Sequence, residues 1–293
     1  TAAGYGSAIS YDNHGNTTTL AGETLTYDGA DRHVATTAAG STVTYQRDVT
    51  GRIVARTAPV PAPRPVWRAS GAAVNNGAGS TTLVLARPAA TTGDVMVAII
   101  ATAGAALSAP AGWKQVGATA TTGVSTTVWW RTATGSDPSS WTFTLATSQK
   151  AAGRIVAYSG AHQTDPIDVV ATAVNPSSTS QPAPQGTTTD TNPTSLSIVS
   201  VPTNTSFTPA ASTTERLDKA GTAGAPTITV EMANHNQDIA GLSAQRTPIG
   251  AVAAIGAVMT VALRPADSAT TATLRYSYSG GADATAVTMN TTN

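Results

Sequence analysis

A tyrosine followed by an aspartate- and glycine-bearing turn comes back three times in the first 58 residues. Tyr11-Asp12-Asn13-His14-Gly15-Asn16-Thr17 returns as Tyr27-Asp28-Gly29-Ala30-Asp31-Arg32. It returns again as Tyr45-Gln46-Arg47-Asp48-Val49-Thr50-Gly51-Arg52-Ile53, so the tyrosines lie 16 and then 18 residues apart. The last two copies each follow an alternating stretch, Gly22 to Tyr27 and Gly40 to Tyr45. A strand, a turn rich in Asp and Gly, then another strand is a hairpin unit. Units of so short a period stack, because none buries its faces alone. Asp12, Asp28 and Asp48 recur with the repeat and belong to turn chemistry, in which an Asp side chain bonds nearby backbone amides.

The rest of the chain has another texture. Pro59, Pro61, Pro63 and Pro65 alternate with other residues, which forbids a central strand and favours a semi-rigid extended spacer over 59–65. From 66 to 265 short apolar and Thr-rich runs predict about eleven strands: 81–86, 94–102, 113–118, 125–132, 141–146, 154–158, 167–173, 195–201, 227–232, 239–245 and 254–263. Ser/Thr/Pro-rich stretches at 175–193 and 202–212 read as long surface loops. No helical period is sustained, so residues 66–265 predict an antiparallel β-sandwich, jelly-roll-like. Over 266–293 the first texture returns in Thr273-Leu274-Arg275-Tyr276-Ser277-Tyr278-Ser279, with an outgoing strand at 287–290.

Composition narrows the function classes. The 16 Lys+Arg balance 16 Asp+Glu, and only 11% of residues are charged, which argues against a footprint for nucleic acid or anionic membrane. The absence of cysteine removes disulfides and thiol chemistry. No apolar run reaches the length of a membrane span, and Thr1 to Ser10 lacks the pattern of a signal peptide. The chain is therefore expected to be an excerpt of a longer, secreted or surface-displayed bacterial protein, a location suggested by abundant Thr, Ser and Gly with few Lys.

The three copies resemble the YD repeats of the RHS family, bacterial relatives of the teneurin shell and the Tc-toxin cocoon. The family pattern is Gly followed by Tyr-x-Tyr-Asp-x-x-Gly-Arg; 45–53 fits it with a Gln-Arg insertion before Asp48, and Asn16 stands where Arg is usual. The resemblance implies that Tyr11, Asp12, Gly15, Tyr27, Asp28, Tyr45, Asp48, Gly51, Arg52, Tyr276 and Tyr278 are structural repeat residues. In such proteins the repeats form a β-ribbon that spirals into a hollow shell, often with a C-terminal toxin. The whole then reads as all-β, a sandwich inserted between YD-repeat β-hairpins. A second resemblance rests on Gly93-Asp94-Val95-Met96-Val97-Ala98, Ala109-Pro110-Ala111-Gly112-Trp113, Ala157-Tyr158-Ser159-Gly160 and Val261-Ala262-Leu263-Arg264-Pro265. These are similar to a β-sandwich module of large bacterial and phage surface proteins.

Candidate chemistry is sparse. Trp129 and Trp130 are adjacent, so on a strand they face opposite sides of the sheet. One should enter the core and the other face outward, as a platform for stacking a carbohydrate. Trp113 is expected to plug the core edge, Trp67 to pin the domain to its linker, and Trp141 to lie on a core face. His162, Asp165 and Asp168 are too few to supply a calcium site, and neither metal nor cofactor is expected. Glu215 and Glu231 are the only glutamates of the sandwich, which keeps glycoside hydrolysis as a remote alternative. His235 has no nucleophile signature near it. Lys114, Lys150 and Lys219 are the lysines available for a Lys–Asn crosslink. No catalytic residue is assigned. The expected function is non-enzymatic adhesion or recognition of a glycan or protein receptor, with a purely structural shell or spacer as the alternative. Expected partners are the remainder of the parent shell, or another copy through exposed repeat edges; nucleic acid and membrane insertion are not expected.

Overall fold

A computed structural model describes residues 8–38, 41–60, 62–222, 224, 227–266 and 271–276. Every regular element among them is a β-strand, and none of the described residues forms a helix long and apolar enough to cross a membrane. The chain divides into two compact units, one combining Thr1–Pro61 with Ser268–Asn293 and the other Ala62–Asp267.

In the first unit β1 (Ile9–Tyr11), β2 (Thr17–Leu20), β3 (Glu23–Tyr27), β4 (His33–Ala38), β5 (Ser41–Arg47) and β6 (Ile53–Pro59) form an antiparallel meander. The return strand Thr271–Arg275 completes its seven strands by pairing with β6, from Thr271 opposite Pro59 to Arg275 opposite Ala55. The β6 strand runs on to Pro59, so the spacer is shorter than 59–65. Tyr278 and residues 287–290 lie outside the described residues.

The three Asp turns share one hydrogen-bond scheme. The Oδ1 of each Asp accepts the amides two and four residues on: His14 and Asn16 at Asp12, Ala30 and Arg32 at Asp28, Thr50 and Arg52 at Asp48, all at 2.9–3.0 Å. The fourth residue of each turn adopts left-handed backbone: Gly15 at φ 86°, Asp31 at 57° and Gly51 at 86°. That geometry explains the recurring glycine. A register shift precedes each turn, at Ser10/Tyr11, Thr26/Tyr27 and Gln46/Arg47. Arg47 thus holds the place of Tyr11 and Tyr27, and no insertion is present in the third turn. The aspartates set the repeat because their bonds fix the turn, whereas Tyr45 lies two residues earlier in β5. There its ring packs 5.2 Å from His33, which also meets Tyr27 at 5.7 Å.

The second unit is built in two halves. In the first, β7 (Val66–Ser70), β8 (Val74–Asn75), β10 (Val95–Thr102), β12 (Lys114–Thr121), β13 (Val124–Thr132) and β15 (Ala151–Ser159) make a sheet ordered β12-β13-β10-β15-β7, with β8 also on β15. A smaller sheet, β11-β14-β9, is formed by β9 (Ser80–Ala86), β11 (Leu107–Ser108) and β14 (Ser140–Gln149). In the second half, β16 (Ile167–Ser180), β18 (Thr194–Val201), β19 (Phe207–Thr208), β20 (Thr214–Ala220), β21 (Thr229–Asn236) and β23 (Ile249–Leu263) are ordered β16-β23-β18-β21-β20, with β19 on β23. A two-stranded ribbon joins β17 (Thr187–Thr188) to β22 (Gly241–Leu242). The strand expected over 239–245 shrinks to that ribbon, and the loop expected over 175–193 begins with the end of β16. The β20 strand was not legible because Thr-Glu-Arg-Leu-Asp-Lys-Ala is charged, as edge strands often are.

The six-stranded sheet of the first half is covered on both faces. Val95, Val97 and Ile99 pack with Leu196, Ile198, Met259 and Val261 of the second half. Met96, Ala98 and Ile100 pack with Leu83, Leu85, Trp141 and Phe143 of the smaller sheet. Burial on two faces is why β10 reads as an unbroken apolar run rather than an alternation.

The halves repeat one another, which no sequence similarity announced. Each central strand (β10, β18) lies between the inner strand of an edge hairpin (β13 of β12–β13, β21 of β20–β21) and a late strand (β15, β23), in the same order out to both edges. A bulge falls at Gln115/Gly117 in β12 and at Glu215/Leu217 in β20. The preceding turns match: Trp113 N bonds Pro110 O, and Thr213 N bonds Ala210 O, both at 3.3 Å. Gly112 and Ser212 are left-handed there, as are Gly93 and Asn192 before the central strands. The registers therefore equate Trp130 with Asn234, since these lie opposite Val97 and Lys114 in one half and opposite Leu196 and Thr214 in the other.

Candidate functional site

Trp129 and Trp130 do project to opposite faces, but neither is an outward platform. Trp130 is 8% exposed and lies in the core between the two halves, with the Lys114 ammonium 4.8 Å from its ring centroid. Trp129 packs on the other side against the core shared with the smaller sheet, and its indole nitrogen is buried without a partner. The sheet that carries them is covered on both faces, so Trp130 is enclosed in the core and Trp129 is left half-buried against the smaller sheet. Trp113 and Trp141 do belong to a core, meeting edge-on at 5.3 Å with the Arg131 guanidinium 5.0 Å from Trp141. Arg131 is held by Asp137 at 2.6 Å.

A polar cavity of about 200 Å³ opens instead at one mouth between the halves. It is lined by Arg64 and Trp67 from the start of the unit and by Thr214, Arg216, Asn234 and Asn236 from β20 and β21. Arg216 stacks 4.1 Å over the Trp67 ring, and its Nε donates to Asn234 Oδ1 at 2.7 Å. Trp67 Nε1 donates to Ser70 Oγ at 3.1 Å. Arg64 is already paired with Asp238 at 2.5 Å. Among the described residues no carboxylate pairs with Arg216, nor with Arg154, which donates to the Arg216 carbonyl. Burial lowers the pKa of Arg154. It raises that of the fully buried Tyr158, whose hydroxyl has no partner.

The pseudo-equivalent mouth is filled. There Trp130 stands at the position of Asn234, Val116 at that of Arg216 and Ile167 at that of Trp67, all packed in the shared core. Replacement of an indole by an amide and of a valine by a guanidinium leaves the open, cationic mouth. In the sequence, Asn234-His235-Asn236 stands out only for its histidine. The two flanking asparagines face the cavity, and Trp67 lines it rather than only pinning the linker.

The other candidates are accounted for by the fold. Asp168 accepts the Thr189 amide at 2.9 Å. Arg264 gathers Asp165 at 2.5 Å and Asp190 at 2.8 Å, with Asp168 at 4.0 Å. His162 Nδ1 accepts the Asp165 amide at 2.9 Å. This loop is an arginine-centred clasp, its aspartates turned to a cation of the chain's own, and among the described residues no group of three or more His, Asp or Glu is placed to hold a metal ion. Glu231 is fully buried with both oxygens unpartnered. Burial raises its pKa well above the usual value, and nearby Glu215 and Asp218 add to the effect. Glu215 is exposed, and neither glutamate lines the cavity. Lys150 is buried and donates to the carbonyls of Thr222 and Gly224.

Comparison of the chain with protein-family models, with curated proteins and with solved structures returns no match.

Proposed function

We propose that this chain is a segment of a secreted or surface-displayed bacterial RHS/YD-repeat protein, whose meander belongs to the shell and whose inserted unit is a non-enzymatic recognition module. The observation that carries the reading is the return strand. Thr271 pairs with Pro59, so the chain leaves the meander and re-enters it about one strand spacing away, about 5 Å. Insertion at a hairpin tip requires the inserted unit's ends to lie together. They do: Val66 pairs with Ser159, and Pro265 bridges Ala161 two residues on. The inserted unit reads as a doubled antiparallel sandwich of jelly-roll type. A hollow shell would be completed by the remainder of the parent chain or by another copy.

Recognition draws its support from the cavity, a concavity in which polar side chains converge beside the Trp67 ring. Burial of Trp130, with Trp129 half-buried against the smaller sheet, favours the second reading, a structural spacer. The discriminating experiment is a screen of the full chain against glycans and whole bacterial and host cells. Saturable binding supports recognition. Silence from folded protein leaves the spacer.

A further inference from the structure

The cavity's chemistry can be taken further, on the premise that the inserted unit is a recognition module. We propose that the mouth lined by Trp67, Thr214, Arg216, Asn234 and Asn236 binds a carboxylated sugar. Three observations converge. The first is charge: Arg216 has no carboxylate partner among the described residues, and its Nε is spent on Asn234. Its two terminal nitrogens therefore present the fork that matches a carboxylate. The guanidinium lies 4.1 Å over the Trp67 ring and is tied to Asn234, so less of its freedom remains to be lost on binding.

The second observation is the remaining lining. The Asn236 amide and the Thr214 hydroxyl supply both donors and acceptors, which suit hydroxyl groups rather than a bare anion. The third is the comparison within the molecule. At the equivalent mouth Trp130, Val116 and Ile167 fill the space, whereas here about 200 Å³ stays open. That is room for roughly six waters, and it falls below the 300 Å³ or so at which drug-sized pockets begin. One sugar ring fits that scale.

The test is a titration of the full chain with glucuronate, glucose and acetate, followed by the indole N–H resonances in NMR, with Trp67 assigned by Trp67→Phe. Glucuronate should shift the Trp67 resonance saturably, and glucose and acetate should bind about tenfold more weakly or less. Arg216→Met, which keeps an unbranched stem against the indole, should weaken glucuronate by about tenfold or more. Asn234→Trp, which copies the filled mouth, should abolish the shift while the urea midpoint holds. Equal binding of acetate, equal binding of glucose, or no shift at Trp67 with any of them overturns the assignment. Glycan or cell binding that survives Asn234→Trp also overturns it, yet leaves the recognition module standing. Glucuronate binding at Trp67 beside a silent glycan and cell screen keeps the site and removes the module.

Discussion

Acidification should weaken the inserted unit through one side chain, His235. The ring is 4% exposed, and neither nitrogen has a hydrogen-bond partner. Burial, with a smaller contribution from the Arg246 charge, depresses its pKa from 6.5 to about 4. In the folded unit the imidazole stays neutral until about pH 4, whereas in the unfolded chain it takes up a proton near pH 6.5. Between those values the unfolded state holds more protons, so stability falls as pH falls. Each unit of pKa difference corresponds to about 1.4 kcal/mol, which gives about 3 kcal/mol over the window. All five tryptophans, Trp67, Trp113, Trp129, Trp130 and Trp141, lie within Ala62–Asp267, so tryptophan fluorescence during urea unfolding reports this unit alone. The loss between about pH 6.5 and pH 4 should be about 3 kcal/mol smaller in His235→Leu than in the parent chain, because the other titrating groups are common to both. Equal losses in the two proteins would refute the claim that the fold holds this ring neutral.

Glu231 has the opposite sign. Its raised pKa means the folded state keeps a proton that the unfolded state releases near pH 4.5, so stability falls as pH rises through that region. Glu231→Met removes two unpartnered buried oxygens and should raise urea stability at neutral pH by about 1–3 kcal/mol. Trp130→Ala opens the packed mouth and should cost about 3–5 kcal/mol, measured by the same unfolding curves. Among the described residues the first strand of the meander, β1, pairs on one side only, and such an edge seeks a partner strand. Light scattering across a concentration series should therefore show self-association, and a strict monomer at the highest concentration would count against it.

What the sequence determined by itself is what neighbouring residues settle among themselves. An Asp carboxylate reaches the amides two and four residues on, so the three turns were legible from residue types, although the tyrosines misled about their register. Alternation and apolar runs located most strands of the inserted unit, because a strand's side-chain direction follows from its own backbone. The proline spacer was visible for the same local reason. Which face of a strand meets solvent is a different matter, since it depends on packing between segments as far apart as Val95 and Leu263. Trp129 and Trp130 were correctly sent to opposite faces, yet only the packing of the second half on one side and of a smaller sheet on the other buries Trp130 and half-buries Trp129. The repetition of the halves stayed hidden because backbone pairing preserves it while side chains diverge, with Trp130 answered by Asn234 and Trp113 by Thr213. The cavity arises from that divergence. Trp67 and Arg216 stand 149 residues apart in the sequence, and tertiary packing alone brings the ring under the guanidinium.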